Sequence, residues 1–404
     1  MQNVAIRRVG ILTAGGIAPC LSASIAYLIE AYTQLAPDVE ILFYRYGYGG
    51  VLKGDFFTIG GEMRKNWKNL LSFGGSAIGN SRIKLTNWAD CEERGFIQPG
   101  HDPHVVAAER LQADSVDVLH TIGGDDTNSV AAQLAAYLEK NGYGLAVIGL
   151  PKTIDNDVFP ITQTLGADTA AWEGAKFFAN IANECTTCPY MLIVHEVMGR
   201  NCGWLTYATA RAYRKMLNGR KFLPAIGLDR NRWDIHGVYI PEMPFNFDAE
   251  AERLSQVMSD VGNVNLFVSE GACVPTILLE MEEAGQTIPK DAFGHVKLDR
   301  LNVGNWISER LGSRIGAQKV LVQKSGYFAR SAAPNNFDLQ LIRETTQLAV
   351  QCALQKKSGV VGKDEATGGQ MALIDFARIR GGKPFDYKNS DFPTILADLG
   401  QSVY

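Results

Sequence analysis

Two short segments of the chain hold most of the charged side chains whose types and spacing could perform chemistry. "GGDDTN" places Asp125 and Asp126 directly after two glycines, and "PKTIDND" places Lys152 upstream of Asp155 and Asp157. Such a group of carboxylates costs stability unless a cation or a substrate hydroxyl engages it. Mg²⁺ binds one or two carboxylates and bridges phosphate oxygens, and a further carboxylate can accept a proton from an attacking hydroxyl. The two segments therefore predict magnesium, a phosphate and a general base at one site.

Two glycine-containing segments could bind the phosphate. "TAGG" carries Gly15 and Gly16 ahead of a predicted helix, where backbone N–H groups and the helix N-terminus favour an anion. "GGSAIGNSR" adds Arg82, whose guanidinium can donate two parallel hydrogen bonds to phosphate oxygens. Each segment alone is equally compatible with a tight turn or an exposed surface loop, so the prediction depends on several such segments lying together.

Two further segments suggest a second anion pocket. "MGR" ends in Arg200 and "YFAR" ends in Arg330, and each arginine could bind the phosphate of a sugar phosphate. Glu242, in "IPE", could hold the hydroxyls of the sugar. Any one of these residues alone fits a surface charge, and only their combination predicts a pocket.

Short apolar runs alternate with helical patterns along the chain and must position these segments. The predicted strands are 9–13, 39–44, 116–122, 144–150, 190–197, 237–240, 264–269 and 319–323. The predicted helices are 19–35, 128–140, 167–181 and 205–217. Continuous apolar strands indicate parallel sheets that are covered on both faces, so an α/β fold of doubly wound, Rossmann-like type is predicted. Ligands of such sheets bind beyond the carboxyl ends of the strands, where the charged segments lie.

The composition narrows the class of protein. The chain has 404 residues, more than one compact core needs, so two or three domains are expected. The 39 basic and 43 acidic residues form no basic stripe, so neither nucleic acid nor a membrane surface is an expected partner. The sequence shows no secretory pattern and no apolar run of about 18 residues, which predicts a cytoplasmic protein. The single CxxC, Cys185 to Cys188, has no second pair, so a zinc site is not expected.

Taken in order, "GGDDT", "PKTIDND", "EVMGR", "IPE" and a glycine-to-arginine segment near residue 330 resemble the phosphofructokinases. The resemblance covers nearly the whole chain and is most specific to bacterial pyrophosphate-dependent 6-phosphofructokinases of about this length. It implies reversible transfer of a phosphoryl group from pyrophosphate to the 1-hydroxyl of fructose 6-phosphate, with Mg²⁺ as cofactor. It also implies a homodimer.

The family pattern implies two Rossmann-like domains with the active site in the cleft between them. The expected phosphoryl-donor domain comprises residues 1–165 plus about 329–375. The expected fructose 6-phosphate domain comprises residues 166–328 plus about 376–404.

The resemblance assigns roles to individual residues. It implies Asp125 as the Mg²⁺ ligand, Asp155 as the general base for the sugar hydroxyl, and Lys152 as the cation that stabilises the leaving phosphate. The implied donor-binding residues are Gly15, Gly16, Arg82 and Gly124. The implied residues for fructose 6-phosphate are Thr153, Asp155, Met198, Gly199, Arg200, Glu242, Tyr327 and Arg330.

Asp126 carries the predicted specificity for the donor. ATP-using relatives have glycine at the positions of Asp126 and Lys152. An aspartate there would fill the space of the nucleotide α-phosphate and repel it, by up to ~4 kcal/mol for charges about 4 Å apart at an effective dielectric of about 20. Donor choice is thus predicted to rest on a repulsive element, and Asp126 is placed with Lys152 and Asp155 among the catalytic positions.

Two alternatives stay open at this point. An ATP-dependent 6-phosphofructokinase or a related sugar-phosphate kinase would share the fold, and Asp126 and Lys152 argue against it. A non-catalytic sugar-phosphate sensor would need neither Asp125 nor Asp155.

Three positions depart from the family pattern. Ile17 stands where many relatives have aspartate, and Tyr327 stands where ATP-using bacterial enzymes have histidine. Met191 replaces an arginine that crosses a subunit interface in those enzymes, which argues against their tetramer and their allosteric control.

Overall fold

The chain divides into two compact units in the computed structural model, which describes residues 6–288, 296 and 298–402. The first unit comprises the chain up to Thr169 together with Arg330–Gly382. The second unit comprises Ala170–Ala329 and the chain from Lys383 onward. No helix in the described part of the chain is long and apolar enough to cross a membrane.

Strands and helices alternate along most of the described chain. The strands are β1 Arg8–Thr13, β2 Glu40–Tyr44, β3 Phe56–Thr58, β4 Val118–Gly123, β5 Ala146–Pro151, β6 Met191–Val197, β7 Gly237–Tyr239, β8 Asn263–Ser269, β9 Lys319–Lys324, β10 Gly359–Asp364 and β11 Gln370–Ile374. The helices of the first half are α1 Leu21–Leu35, α2 Tyr48–Lys53, α3 Gly61–Lys65, α4 Trp88–Glu93, α5 Pro103–Ala113, α6 Asp125–Lys140, α7 Ala167–Ile181 and α8 Trp204–Asn218. The later helices are α9 Arg230–Trp233, α10 Phe247–Val261, α11 Val274–Glu283, α12 Leu298–Leu301, α13 Val303–Gly312, α14 Gly326–Arg330, α15 Asn336–Leu354 and α16 Phe392–Asp398.

The sheet of the first unit contains seven of the described strands, in the order β11-β10-β5-β4-β1-β2-β3. The five inner strands run parallel, and β11 and β3 pair antiparallel at the two edges. Every residue of β4 and β5 is buried, as expected for parallel strands covered on both faces. The carboxyl ends of β1, β4 and β5 therefore meet at one edge of this sheet.

The sheet of the second unit is parallel throughout, in the order β7-β8-β6-β9. Successive side chains of β6 enter different cores: Ile193 packs in a cluster with Tyr213 and Phe267, and Leu192 packs in another cluster with Leu266. Because neighbouring strand residues point to opposite faces, both faces of the sheet are covered. This confirms the predicted doubly wound α/β class.

The predicted start of one helix was wrong. The sequence pattern placed it at Asn128, whereas α6 begins at Asp125. Gly124 adopts an extended conformation as the helix cap, and its carbonyl accepts the N–H of Asn128 at 3.0 Å. Asp125 and Asp126 thus occupy the first helical turn, where the positive end of the helix dipole stabilises carboxylates.

Candidate active site

The ends of three neighbouring strands bring the predicted donor segments together in the first unit. The N–H of Ala14, just after β1, donates to the carbonyl oxygen of Ile122 at 2.9 Å. The N–H of Lys152, just after β5, donates to the carbonyl oxygen of Gly123 at 2.8 Å. The glycine turn after β1, the start of α6 and the loop after β5 are consequently adjacent.

Gly15 occupies a position in the glycine turn that suits glycine alone. Its φ of +88° lies in the left-handed region that disfavours side chains. A Cβ atom added there would lie 3.2 Å from Nζ of Lys152 and 3.9 Å from the backbone nitrogen of Gly124. The turn, the Lys152 ammonium and the N-terminus of α6 therefore border the same small space.

Lys152 is a buried cation, with 3% of its surface exposed. Its ammonium donates a hydrogen bond of 2.6 Å to the carbonyl oxygen of Gly16. Burial lowers the pKa of Lys152 to about 8, and the positive charges of Arg330 and Arg82 lower it further, against the charge of Asp155. An anion bound here would restore the preference for the charged form.

Two arginines lie next to Gly16. A Cβ atom added at Gly16 would overlap Nη1 of Arg330 and would lie 3.8 Å from Nη2 of Arg82. The sequence grouped Arg82 with the donor and Arg330 with the sugar phosphate. Within the first unit the structure brings both guanidinium groups to the glycine turn, together with Lys152.

Three aspartates lie close to one another in the first unit, Asp125, Asp155 and Asp157. The carboxylates of Asp125 and Asp157 both approach Gly382, where an added Cβ would lie 3.6 Å and 3.7 Å from their Oδ2 atoms. Burial, with the charges of Asp155 and Asp125, raises the pKa of Asp157 to about 7. Burial also raises the pKa of Asp125, with a smaller contribution from Asp126. A divalent cation between these carboxylates would relieve both effects.

The carboxylates of Asp125 and Asp157 could serve as two ligands of a metal ion. No group of three or more His, Cys, Asp or Glu side chains among the described residues is arranged to hold a metal ion. Mg²⁺ is usually held by one or two carboxylates, substrate phosphates and water rather than by an all-protein cage. Asp125 and Asp157 fit that ligand set.

Asp155 is presented by a loop that side-chain hydrogen bonds hold in place. Its N–H donates to Oγ1 of Thr153 at 3.1 Å. Asn156 has a φ of +54°, and its Oδ1 accepts the N–H of Thr164 at 2.8 Å. The hydroxyl of Thr164 donates to the carbonyl oxygen of Thr153 at 2.8 Å, which closes the loop. These bonds fix the backbone from which the Asp155 side chain projects.

The carboxylate of Asp126 forms an ion pair with Lys84. Nζ of Lys84 lies 2.7 Å from its Oδ2, and the Asp126 side chain is 62% exposed. Lys84 also lowers the pKa of Asp125 through its charge. The expected repulsion of a nucleotide assumed a bare carboxylate at Asp126, whereas the structure offsets that charge with a neighbouring ammonium.

The predicted sugar-phosphate residues Met198, Gly199 and Arg200 form a tight loop after β6 in the second unit. Gly199 has a φ of +136°, and its carbonyl oxygen accepts the hydroxyl of Ser269 at 2.6 Å. A Cβ added at Gly271 would overlap the Arg200 carbonyl. This close backbone packing leaves the Arg200 side chain exposed.

Two glutamates near this loop differ in their partners. Glu242 accepts the N–H of Gly203 at 2.9 Å and the N–H of Phe385 at 2.8 Å, so its carboxylate anchors the start of α8 and the C-terminal segment. Glu270, which the sequence did not single out, directs Oε1 toward the N–H of Gly199 at 3.4 Å. The signal that could have found it was its place directly after β8.

Tyr327 lies on the short helix α14, and 76% of its surface is exposed. On the same helix, a Cβ added at Gly326 would lie 3.2 Å from Cε of Met198. Within the second unit, the structure thus brings the start of α14 against the loop that carries Met198.

Residues 8–353 match the family model described as Phosphofructokinase, which spans well over half of the chain. The chain belongs to the phosphofructokinase family.

Curated relatives match over nearly the whole chain. A pyrophosphate–fructose 6-phosphate 1-phosphotransferase of Methylotuvimicrobium alcaliphilum is 57% identical over 98% of this chain and 97% of its own length. A protein of the same name from Methylomonas methanica is 55% identical over the same shares. The crystal structure of a pyrophosphate-dependent phosphofructokinase from Nitrosospira multiformis superposes with a TM-score of 0.73 at 19% identity, covering 99% of this chain and 93% of that one, and this likeness shows the fold.

Proposed function

We propose that this protein transfers a phosphoryl group from pyrophosphate to the 1-hydroxyl of fructose 6-phosphate, forming fructose 1,6-bisphosphate and phosphate. The relatives that are 55–57% identical bear the name of that reaction. The observation that carries the proposal is the buried Lys152 ammonium against the glycine turn, in the same unit as the interacting carboxylates of Asp125, Asp155 and Asp157. A cationic end and an acidic end in one site suit a small polyanion that is bound through a metal.

The donor is assigned to the first unit. Gly15, Gly16 and Gly124 allow the backbone to approach the phosphates, and Arg82 and Lys152 supply positive charge. Asp125, with Asp157, would hold Mg²⁺. When bound, Mg²⁺ neutralises charge on the phosphate oxygens of the donor.

The chemistry is a displacement at the terminal phosphorus of pyrophosphate. Asp155 takes the proton of the sugar 1-hydroxyl as that oxygen bonds to phosphorus, and the bond from phosphorus to the bridging oxygen breaks. The leaving group is inorganic phosphate, whose charge Lys152 stabilises. One phosphate ester replaces one phosphoanhydride, and the reverse reaction uses the same groups.

The residues proposed for fructose 6-phosphate are Thr153, Asp155, Met198, Gly199 and Arg200. Glu270 is proposed as an additional hydroxyl acceptor, because it lies beside Gly199 and Glu242 is engaged by backbone N–H groups. Tyr327 stays proposed for the sugar phosphate. Arg330 stays proposed for it as well, and its position beside Gly16 supports a role near the donor.

The reaction is proposed to occur in the cytoplasm, in glycolysis or gluconeogenesis, with the chain as a homodimer. Static light scattering of the purified protein would measure its oligomeric state.

The test is a comparison of donors with the purified protein. Fructose 6-phosphate and Mg²⁺ are supplied with either pyrophosphate or ATP, and fructose 1,6-bisphosphate is measured. Turnover with pyrophosphate that stops when a chelator removes Mg²⁺ is the expected result. Turnover with ATP alone would overturn the choice of donor, and turnover with neither would overturn the proposal.

A further inference from the structure

Lys84 lies at the donor site, although no sequence motif drew attention to it. Ile83 and Leu85 on either side are buried in the core of the first unit, with 4% and 0% of their surfaces exposed. This alternation fixes the backbone of the segment and directs Lys84 away from the core. Its ammonium lies 2.7 Å from Oδ2 of Asp126, on the first turn of α6.

We infer that Lys84 determines donor affinity and donor choice by acting through Asp126. The inference depends on the proposed phosphotransferase function and extends it to a residue that touches Asp126 rather than the reacting atoms. Lys84 is therefore a positioning residue.

The charge around the donor site decides which anions can approach it. Asp125, Asp155 and Asp157 already place three carboxylates near the bound donor, and Asp126 adds a fourth. Paired with Lys84, the Asp126 carboxylate fills space without adding net negative charge, so a small polyanion can still approach. A larger donor that carries a nucleoside is excluded because the two side chains fill the space that it needs, and not because of their charge.

Removal of Lys84 and removal of Asp126 should have opposite effects on the binding of anionic donors. Without Lys84, the Asp126 charge is uncompensated and opposes every anionic donor. Without Asp126, the Lys84 ammonium still acts on Asp125 through its charge, and the space beside it is enlarged, which favours a nucleoside triphosphate. The two substitutions should therefore be strongly coupled.

The experiment is a double-mutant cycle measured as KM for pyrophosphate and kcat/KM for ATP. Lys84→Met should raise KM for pyrophosphate about tenfold, and Lys84→Met combined with Asp126→Asn should return it to within about threefold of the parent. Asp126→Gly should gain more ATP activity when Lys84 is present than when it is Met. Lys84→Arg should keep the parent KM, because arginine also pairs with the carboxylate.

Lys65→Met is the matched control, since it removes one ammonium from an exposed ion pair with Glu62 in the same unit. Circular dichroism and thermal melting establish whether each variant is folded. If Lys84→Met does not fold, Lys84→Arg still tests the inference. An unchanged KM in Lys84→Met, or a double variant as impaired as Lys84→Met alone, would overturn the inference. The second result would mean that Lys84 contacts the donor directly. Turnover of the parent with pyrophosphate is measured separately, so a failure of the cycle is distinguishable from a failure of the proposed function.

Discussion

The Lys152 ammonium donates its hydrogen bond to the carbonyl oxygen of Gly16, 136 residues earlier in the chain. The bond joins the loop after β5 to the glycine turn after β1. It orients the ammonium and keeps one of its three N–H donors engaged, so the other two are available to phosphate oxygens.

This arrangement predicts how activity depends on pH. Burial lowers the pKa of Lys152 to about 8, so the free enzyme loses this charge as the pH rises through that value. We expect kcat/KM for pyrophosphate to fall on the alkaline side of about pH 8. In Lys152→Arg the alkaline fall should disappear, because arginine stays protonated. If kcat/KM for pyrophosphate falls in the same way in Lys152→Arg, a group other than Lys152 causes the fall.

Asp155→Asn should separate catalysis from binding. Loss of a general base costs about 10²–10⁴-fold in kcat, whereas the amide can still hydrogen-bond to the sugar. Calorimetry should therefore show fructose 6-phosphate binding close to that of the parent. The same change at the exposed Asp38 should leave kcat unaltered. Turnover of Asp155→Asn within a few-fold of the parent would refute the role of base.

Gly16→Ala should weaken pyrophosphate binding by displacing an arginine. The added methyl group would overlap Nη1 of Arg330, and the backbone at Gly16 needs no left-handed conformation. Loss of a charged hydrogen bond of about 1.5–3 kcal/mol would raise KM about tenfold or more. Gly61→Ala is the control, since nothing lies within 4 Å of an added Cβ there. If Arg330 matters only to the sugar phosphate, KM for fructose 6-phosphate will change instead.

Glu242 and Glu270 should respond differently to substitution by glutamine. Glu242→Gln keeps Oε1 as the acceptor of the N–H groups of Gly203 and Phe385, but it removes the charge and places an amide N–H₂ group where Oε2 lies 3.1 Å from the nitrogen of Gly203. The change should lower stability by roughly 1–3 kcal/mol. Glu270→Gln should raise KM for fructose 6-phosphate and should lower the melting temperature less than Glu242→Gln does, because its hydrogen bond from Gly199 is longer, at 3.4 Å. Melting curves and KM values on both variants decide between the two glutamates. The reverse pattern would return Glu242 to the sugar site.

Buried histidines should make the fold sensitive to acid. Burial lowers the pKa of His120 and of His195 to about 3 and that of His236 to about 4. The unfolded chain binds protons at its ordinary histidine pKa, so stability is present above that value and is lost as the pH falls below it. Each histidine contributes up to about 1.4 kcal/mol per pH unit in that range.

His195→Met tests this most cleanly. Among the described residues neither ring nitrogen of His195 has a hydrogen-bond partner, and the ring stacks on Phe178 at 5.4 Å between centroids. Replacement by an apolar side chain of similar size should reduce the pH dependence of urea unfolding, and should raise stability near neutral pH by about 1 kcal/mol. An unaltered slope below pH 6.5 would show that a hydrogen-bonded water or a local opening solvates this ring.

The parallel core of the fold was predictable from sequence because its strands are buried on both faces. β4, β5, β6 and β8 read as continuous apolar runs, and each was placed within one or two residues. The edge strands β3 and β11 were missed, since partly exposed strands lack that run. β10 was missed as well, because the glycines within its six residues weaken the signal.

The types of the site residues were predictable, but several of their partners were not. Asp125, Lys152 and Asp155 stood out because charges cluster after buried strands. Nothing in the sequence connects Lys84 to Asp126 or Arg330 to Gly16, because a long charged side chain is directed by the tertiary fold. The role of the second aspartate was therefore predicted as a bare charge and found to be half of an ion pair.

The interrupted first unit has a consequence for biosynthesis. β5 pairs with β10 through Ile148 and Gly359, roughly 200 residues apart, so at about 5–20 residues per second a ribosome needs roughly 10–40 s to supply the missing strand. During that interval the nascent chain exposes the edge of β5, the strand that leads into Lys152. Chaperone binding would have to protect that edge until translation passes β10.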